Sequence, residues 1–404
     1  MQLEVRQVKD VAEFTGGVMA IGQYFGMTPN EERMSRFSEL MTLERMHAAW
    51  ADGMIVGGAG AFDFNLTVPG GELPTAGVTV VGVTPTHRRR GVLRSLMRAQ
   101  LDDAHERGEP LAALWASEET IYGRFGYGLA SFCGEITLAH EHTRFALPFD
   151  PAGTLRLIEP DEALATIPPV FDRLRLDWPG MFSRNDAWWE NREISDPEER
   201  RDGGGPKRWV VYERDGGIES YAAYRHKPGF DNGTTNAELR VIEALGTTPE
   251  ALRDLWAYLL AIDWIATVKS SLMPPDHPLF LLLATPRRLR YRMGDGLWVR
   301  VLDVGAALSG RRYAGEGSVV FEVEDEFCPW NEGRWKLEGG TAERTQDDAD
   351  LRVPVQTLGS ALLGGISFSQ LSQAGRVHEL KEGALERADS LFRWNRHPWC
   401  PEIF

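Results

Sequence analysis

One stretch, residues 78–127, constrains the fold most, because it contains an apolar strand, a basic turn, a helix and a second strand in that order. Residues 78–83 are apolar and β-branched, which is typical of a buried strand. Three arginines and a glycine follow at 88–91, directly before an amphipathic segment. Residues 111–116 then have the pattern of a short apolar strand. A strand–helix–strand unit of this length predicts two adjacent parallel strands joined by a right-handed crossover.

The length of the chain and its charge limit the classes of protein it can be. With 404 residues it is too long for one hydrophobic core, so we expect two or three domains. The formal net charge of -15 argues against a nucleic-acid-binding protein. The same charge fits a cationic substrate or partner, and it fits a general requirement for solubility equally well.

The cysteines and the apolar segments bear on location. Cys133, Cys328 and Cys400 are few and odd in number, which predicts no disulfide framework and a reducing compartment. Their spacing matches no metal site, so no metal is expected. The amino terminus lacks the pattern of a signal peptide. The apolar stretch 255–268 is short and contains Asp263, which predicts a buried helix and not a membrane span. We therefore expect a cytoplasmic protein.

The basic turn has the features of a phosphate-binding site. A helix start presents unpaired backbone N–H groups and a partial positive charge. Gly91 lets a ligand approach the backbone closely, and Arg88, Arg89 and Arg90 add permanent charge. We interpret the turn as a site for a pyrophosphate, although an exposed basic helix start has the same residues. Neither a Walker loop nor a Gly-x-Gly-x-x-Gly fingerprint occurs here.

The same turn resembles the acyl-CoA signature of the GNAT acetyltransferases, Arg/Gln-x-x-Gly-x-Gly/Ala. Arg88 and Gly91 match it, and Leu93 departs from it at the last position. Two longer segments are similar, nearly position for position, to one subfamily, the Eis (enhanced intracellular survival) N-acetyltransferases. They read Val-x-Pro-Thr-His-Arg-Arg-Arg-Gly-x-Leu-Arg and Ala-Ser-Glu-x-x-Ile-Tyr-Gly-Arg-Phe-Gly-Tyr-Gly. The resemblance is dense over residues 78–128 and implies an acetyl-CoA-dependent N-acetyltransferase.

The resemblance also implies roles for individual residues. Tyr122 is implied as the general acid, and the C-terminal carboxylate of Phe404 as the general base. The backbone groups of Val81 and Val83 are implied to bind the pantetheine arm, and residues 89–94 to surround the pyrophosphate. Ser117 and Glu118 are implied to lie near the reactive end of the cofactor. The implied acetyl-CoA-binding residues are Val81, Gly82, Val83, Arg88, Arg89, Arg90, Gly91, Val92, Leu93, Arg94, Ser117 and Glu118.

Acyl transfer to an amine gives a chemical reason for these two groups. A phenol held at the sulfur can protonate the departing thiolate, and such a step is typically worth about 10²–10⁴-fold. Tyr122 could instead be a packed aromatic beside Phe125 and Tyr127. An α-carboxylate, with a pKa of about 3.5, needs a bridging water or a partly deprotonated amine to act as the base.

The acceptor is expected to be a primary amine of a polycationic molecule, either an aminoglycoside-like compound or a lysine side chain. Tyr24 and Phe25 are candidates for the wall of the substrate pocket, and Glu402 is a candidate for holding a cation. The resemblance implies a homohexamer. The alternative function is a non-catalytic protein that binds acyl-CoA or lipid.

A second strand–helix–strand order later in the chain is similar to the first. Residues 238–246 have the pattern of a strand, 247–252 that of a helix start, and 280–284 that of another strand. At the turn, Pro249 and Glu250 stand where the first unit has arginines, and an acid there would repel a pyrophosphate. We infer a second GNAT-like domain that has lost the cofactor.

The predicted fold class is α/β with mixed sheets, in which two GNAT-like domains precede a C-terminal α+β domain that resembles a sterol carrier protein. The catalytic domain is expected at residues 1–147 and the degenerate one at 148–288. The last domain, 289–404, is expected to supply the C-terminal carboxylate. It could bind lipid, but a structural role is favoured, since a fold does not by itself give a function.

Overall fold

A computed structural model of the chain describes residues 2–28 and 30–404. Helix α1 begins after Asp10, whose carboxylate accepts a hydrogen bond from the Glu13 backbone N–H at 2.9 Å. Asp52 and Gly53 have φ angles of 50° and 81°, which suit the tight hairpin turn that an Asp-Gly pair favours. The elements up to Ser131 are β1 Leu3–Gln7, α1 Val11–Gly22, α2 Glu31–Leu40, β2 Met46–Ala51, β3 Met54–Val68, β4 Gly71–Val83, α3 Val92–Glu106, β5 Leu111–Trp115, α4 Glu119–Tyr122 and β6 Tyr127–Leu129.

The middle of the chain repeats this alternation of strands and helices. Its elements are β7 Phe132–Ala139, β8 Thr154–Ile158, α5 Pro160–Thr166, α6 Pro168–Arg175, α7 Asp186–Trp188, a π-helical turn Trp189–Ile194, β9 Arg208–Arg214, β10 Gly217–Lys227, β11 Phe230–Asp231, β12 Thr234–Thr235, β13 Glu238–Gly246, α8 Pro249–Leu260, β14 Thr267–Met273, α9 Leu279–Leu282 and β15 Arg292–Asp295.

Two predictions for this region were wrong. The strand expected at 280–284 is replaced by helix α9, and the strand that follows α8 is β14. The buried helix expected at 255–268 ends at Leu260, because the chain then turns into β14. Short apolar runs fit a strand and a buried helix equally well, so periodicity could not separate the two.

The C-terminal part of the chain contains a five-stranded sheet covered by helices. Its strand order is β19-β18-β17-β20-β21. The rings of Phe321, Phe368 and Phe392 pack against one another inside it and are at most 2% exposed. The elements are β16 Leu297–Val301, α10 Val304–Ser309, β17 Ser318–Glu324, β18 Gly333–Glu338, β19 Thr341–Arg344, β20 Leu351–Pro354, α11 Val355–Ala361, α12 Phe368–Gln373, β21 His378–Glu379 and α13 Ala384–Phe392.

The chain divides into two compact units, each built on a seven-stranded sheet. The first unit contains the residues up to Ser131, Leu297–Pro398 and Ile403–Phe404, and its large sheet has the order β1-β2-β3-β4-β5-β16-β6. The second contains Phe132–Gly296 and Trp399–Glu402, and its sheet has the order β15-β7-β14-β13-β10-β9-β8. In each sheet one parallel pair, β4–β5 or β13–β14, lies among antiparallel neighbours. The predicted class of mixed α/β sheets is confirmed.

Each large sheet includes a strand from beyond the expected domain boundary. Strand β16 lies between β5 and β6 in the first sheet, and β7 lies between β14 and β15 in the second. The boundaries expected after residues 147 and 288 therefore differ from the observed divisions at Ser131 and Gly296. No local pattern marks this exchange, because pairing partners lie more than a hundred residues apart in sequence.

We expect a fragment of residues 1–147 not to fold, because it lacks β16 and leaves the edges of β5 and β6 unpaired. The matched control joins residues 1–131 to residues 297–404 through a flexible Gly/Ser linker, which restores β16. Thermal unfolding followed by circular dichroism should show a cooperative transition for the control alone. A cooperative transition in the 1–147 fragment would contradict the assignment of β16 to this sheet.

Candidate active site

A cavity of about 620 Å³ lies in the first unit where β4 and β5 part. The two strands pair only from Thr75 to Gly77 on β4, although β4 runs on to Val83. The pairing of β4 with β3 also shifts register here, and Val80 has a φ of 48°, so β4 contains a bulge. Between the bulge and the end of β4, the strand still pairs with β3 on one edge, and its other edge faces the cavity and not β5.

Helix α1 closes one side of this cavity and requires a glycine on β4. A Cβ atom on Gly82 would lie 2.4 Å from the Cβ of Ile21, so no other residue permits this contact. The hydroxyl of Tyr24, just beyond α1, donates a hydrogen bond to the carbonyl oxygen of Val83 at 2.8 Å. Tyr24 and Phe25 both line the cavity, as does the end of β4.

The turn before α3 exposes the start of the helix to the cavity. Arg89 and Gly91 have φ angles of 60° and 84°, in the left-handed region. Gly91 is the N-cap of α3 and offers no side chain to the helix, and a Cβ there would meet nothing within 4 Å. The first N–H groups of α3 are therefore available to an anion.

The charge around this helix start is positive. Arg88, Arg89 and Arg94 line the cavity, and Arg90 is exposed nearby without lining it. In the described chain none of the four forms an ion pair with a carboxylate. Permanent charges beside free N–H groups suit a phosphate or pyrophosphate.

The equivalent helix of the second unit, α8, has the opposite character. The hydroxyl of Thr248 accepts a hydrogen bond from the Ala251 N–H at 3.2 Å and so caps the helix. Pro249 has no N–H, and Glu250 adds a negative charge. The sequence difference at this turn thus becomes a difference in the hydrogen-bonding groups offered to a ligand.

Tyr122 lies at the other end of the first cavity, on α4. Its side chain is buried, and burial, with a smaller contribution from Glu118, raises the pKa of Tyr122 to about 12. The Tyr127 ring meets the Tyr122 ring edge-on with centroids 5.8 Å apart. The hydroxyl of Tyr122 therefore stays protonated across the neutral range, as a proton donor must.

Strand β16 and the C-terminal region support the loop that follows Tyr122, which the sequence did not indicate. Gly126 has a φ of 89°, and a Cβ there would lie 2.4 Å from Nη1 of Arg300. Arg300 is fully buried and donates to both carboxylate oxygens of Asp325 at 2.8 Å. The side-chain amide of Gln356 donates to the carbonyl of Gly123 at 2.8 Å.

Phe327 supports the arginines of α3. The guanidinium of Arg98 lies 3.8 Å from the Phe327 ring centroid and that of Arg94 lies 5.3 Å from it. A guanidinium N–H of Arg98 also donates to the carbonyl of Phe327. This contact was not predicted, because it joins residues more than two hundred positions apart.

The chain end does not line the cavity. The Phe404 ring packs edge-on against Phe64 and Phe62 of β3, with centroids 5.3 Å and 6.3 Å apart. Glu402, predicted to hold a cation, is buried in the second unit and accepts a hydrogen bond from Arg184 at 2.5 Å. Its carboxylate is thus already occupied by a cation from the chain itself.

Most of the predicted site residues come together in one cavity. Those that line it are Tyr24, Phe25, Val81, Gly82, Val83, Arg88, Arg89, Gly91, Val92, Leu93, Arg94, Ser117, Glu118 and Tyr122, and those that do not are Arg90, Glu402 and Phe404. The cavity is also lined by residues that were not predicted: Ile21, His87, Thr120, Ile121, Arg124 and Phe125. Two of these six, His87 and Ile121, are next to a predicted residue in the sequence, so proximity in sequence was a signal that could have found them.

Two findings for the described residues, 2–28 and 30–404, concern metal binding and membrane insertion. Across that part of the chain, His, Cys, Asp and Glu side chains form no group of three or more that could hold a metal ion. Over the same residues, no helix combines the length and the hydrophobicity needed to cross a bilayer. All three cysteines are buried, and none of them forms a disulfide in this part of the chain.

Comparison with known proteins assigns the chain to a family. Models of a GNAT acetyltransferase domain match residues 4–130 and 180–301, and a sterol carrier protein domain matches residues 304–401. The N-acetyltransferase Eis of Mycobacterium tuberculosis is 36% identical over 353 residues, which cover 84% of this chain and 83% of that protein. The chain belongs to the Eis family of N-acetyltransferases.

Two further comparisons, with one relative and one solved structure, support this assignment. An N-acetyltransferase of Streptomyces avermitilis is 42% identical over 393 residues, 95% of each chain. The crystal structure of Eis1 from Mycobacterium abscessus matches with a TM-score of 0.86 at 30% identity, over 100% of both chains. The predicted family and enzyme class are confirmed, as are two GNAT domains followed by a sterol-carrier-like domain.

We expect the phenol of Tyr122 to ionise only near pH 12. The difference in tyrosinate absorbance between the native protein and a Tyr122→Phe variant, followed as the pH rises, measures this. Because burial disfavours the phenolate, the difference should be absent through pH 10, the ordinary value for tyrosine, and should appear above it. A difference that develops around pH 10 would mean that solvent reaches the ring.

Proposed function

We propose that the protein transfers an acetyl group from acetyl-CoA to a primary amine. The observation that carries the proposal is the uncapped start of α3 at Gly91, set among unpaired arginines in a cavity that ends at a buried, protonated Tyr122. A pyrophosphate suits the helix start, and a pantetheine arm suits the open backbone of β4. The reactive thioester then lies toward Ser117 and Tyr122. GNAT acetyltransferases use acetyl-CoA as their co-substrate.

In the proposed reaction, the amine lone pair attacks the thioester carbon and the carbonyl electrons move to oxygen. The tetrahedral intermediate collapses, the C–S bond breaks with its electrons on sulfur, and Tyr122 gives its proton to that thiolate. The amine gives up one proton, which the C-terminal carboxylate of Phe404 accepts through a water. Because burial makes the phenolate of Tyr122 unfavourable, its proton is regained before the next cycle.

The proposed acceptor is a polycationic molecule, such as an aminoglycoside-like compound or a lysine-containing polypeptide. The net charge of -15 supports this choice, since it favours the approach of cations. The Eis family membership is compatible with a homohexamer, and three buried cysteines that form no disulfide in the described residues are compatible with a cytoplasmic location. The homohexamer and the cytoplasmic location are both proposed.

The alternative, a protein that only binds acyl-CoA or lipid, has less support. In the sterol-carrier-like region, the interior is occupied by Phe321, Phe368 and Phe392. The same region instead supports the loop after Tyr122 and the arginines of α3 through Arg300, Asp325 and Phe327. We propose that its role is structural.

We expect Tyr122→Phe to lower kcat by about 10²–10⁴-fold, because the thiolate then leaves without a proton donor. The assay measures free CoA thiol released from acetyl-CoA in the presence of a panel of amines. The matched control is Tyr258→Phe, which removes a hydroxyl that pairs with the Tyr224 hydroxyl in the second unit, away from the cavity. If no amine supports turnover by the folded native protein, the proposed reaction is wrong.

We expect a single glycine added after Phe404 to lower kcat about 10²-fold, because it moves the carboxylate away from the amine. Binding of acetyl-CoA should be unchanged, since Phe404 does not line that cavity. A glycine added at the amino terminus serves as the control. An unchanged kcat in the C-terminal variant would show that another group accepts the proton.

A further inference from the structure

The second unit contains a cleft that corresponds to the acetyl-CoA cavity of the first. Strands β13 and β14 pair from Glu238 with Thr267 to Val241 with Ser270 and then part, as β4 and β5 do. Strand β13 continues to Gly246, and α8 begins directly after it. The parting of the strands and the helix start occupy the same places in both sheets.

This second cleft is almost filled. Its remaining volume is about 20 Å³, compared with about 620 Å³ in the first unit, so it has room for about one water molecule. Its walls include the ends of β13 and β14. They also include Trp178 and two residues of the chain's own C-terminal tail, Trp399 and Pro401.

The side chain of Trp399 is held on several sides. Its ring lies 5.0 Å from that of Trp178, and its backbone N–H donates to the carbonyl of Pro179 at 2.8 Å. The indole N–H donates to the carbonyl of Leu272, at the end of β14. Gly180 has a φ of 99°, and a Cβ there would lie 2.7 Å from the Trp399 carbonyl oxygen, so a glycine makes room for the tail.

A buried ion pair at Glu402 is the second attachment point of the tail. Arg184 donates to the Glu402 carboxylate at 2.5 Å and to both oxygens of Glu243 at 2.8 Å and 3.2 Å. The Arg184 guanidinium also stacks over the ring of Phe171 at 3.9 Å. Burial raises the pKa of Glu402 to about 7, and the charge of Arg184 opposes this effect. The Arg184 guanidinium therefore bridges the tail and β13.

The tail leaves the second unit immediately afterwards. Residues Trp399–Glu402 belong to that unit, whereas Ile403 and Phe404 belong to the first, where the Phe404 ring packs against Phe62 and Phe64. A chain terminus is ordinarily frayed. Here the backbone is fixed two residues before the terminal carboxylate, which restricts where that carboxylate can lie.

We propose that the cleft between β13 and β14 is a binding site for the chain's own C-terminal tail, with Trp399 and Arg184 as positioning residues for the carboxylate of Phe404. The ligand of this cleft is therefore a peptide. The absence of arginines from the α8 turn is compatible with a peptide ligand. The positioning role rests on the proposed function, in which Phe404 accepts the proton. The binding of the tail does not.

The first test compares full-length Trp399→Ala with Trp264→Ala, a control that removes an exposed tryptophan from the same unit. Carboxypeptidase is added to each folded protein, and the release of Phe404 is timed by mass spectrometry. Release should be at least tenfold faster for Trp399→Ala than for the native protein and the control. Equal rates in all three would overturn the proposal.

The second test measures kinetics for the same proteins. Trp399→Ala should lower kcat about 10²-fold at an unchanged KM for acetyl-CoA, because the carboxylate is misplaced while the first cavity is intact. Trp399→Phe, which refills most of the cleft, should recover part of the rate. A loss confined to KM would overturn the positioning role.

A third variant covers the case in which Trp399→Ala does not fold. Arg184→Lys keeps the positive charge but cannot bridge Glu402 and Glu243 with a planar fork, so it should also speed the release of Phe404 and lower kcat. A native rate of release in this variant would overturn the role of Arg184. Faster release together with no acetyl transfer in the native protein would reject the proposed function and support the tail site.

Discussion

The pairing of β16 on both of its edges is the constraint on which the first unit depends. Strand β16 completes the large sheet between β5 and β6, and it places Arg300 beside the loop that follows Tyr122. Arg300 and Asp325 are buried together, so removing one partner would leave an uncompensated charge, at a cost of about 3–5 kcal/mol. One strand from late in the chain thus fixes the loop that follows Tyr122, the proposed acid, and attaches the sterol-carrier-like region to it.

The two large sheets share a topology but present different groups where their parallel strands part. In the first, an uncapped helix start with unpaired arginines faces an open cavity, and in the second a threonine caps the helix and the cleft is closed. The chemistry changes through a few residues at one turn, while the parting of the parallel strands is retained. What distinguishes the sheets is therefore the set of free N–H groups and charges, and not the order of the strands.

The sequence predicted what local pattern and chemistry can specify. The turn at Gly91 and the cavity position of Tyr122 follow from residues close together in the chain, and the structure has both in place. The prediction of a strand at 280–284 was wrong because a short apolar run does not distinguish a strand from a helix. The support from Arg300 and Phe327 and the placement of Glu402 depend on contacts across hundreds of residues, which no local pattern encodes.

The exchange of β7 and β16 between the sheets also sets an order for folding during synthesis. The first sheet cannot be completed until residue 301 has left the ribosome, after residues 132–296 of the second unit have been made. At roughly 5–20 residues per second, that interval lasts about ten to thirty seconds. Throughout it the nascent chain carries β5 and β6 with open edges, which are templates for pairing with other strands. The sheet that carries the candidate active site is therefore completed well after its first strands have been translated, which a GNAT domain with all its strands in one continuous segment would not require.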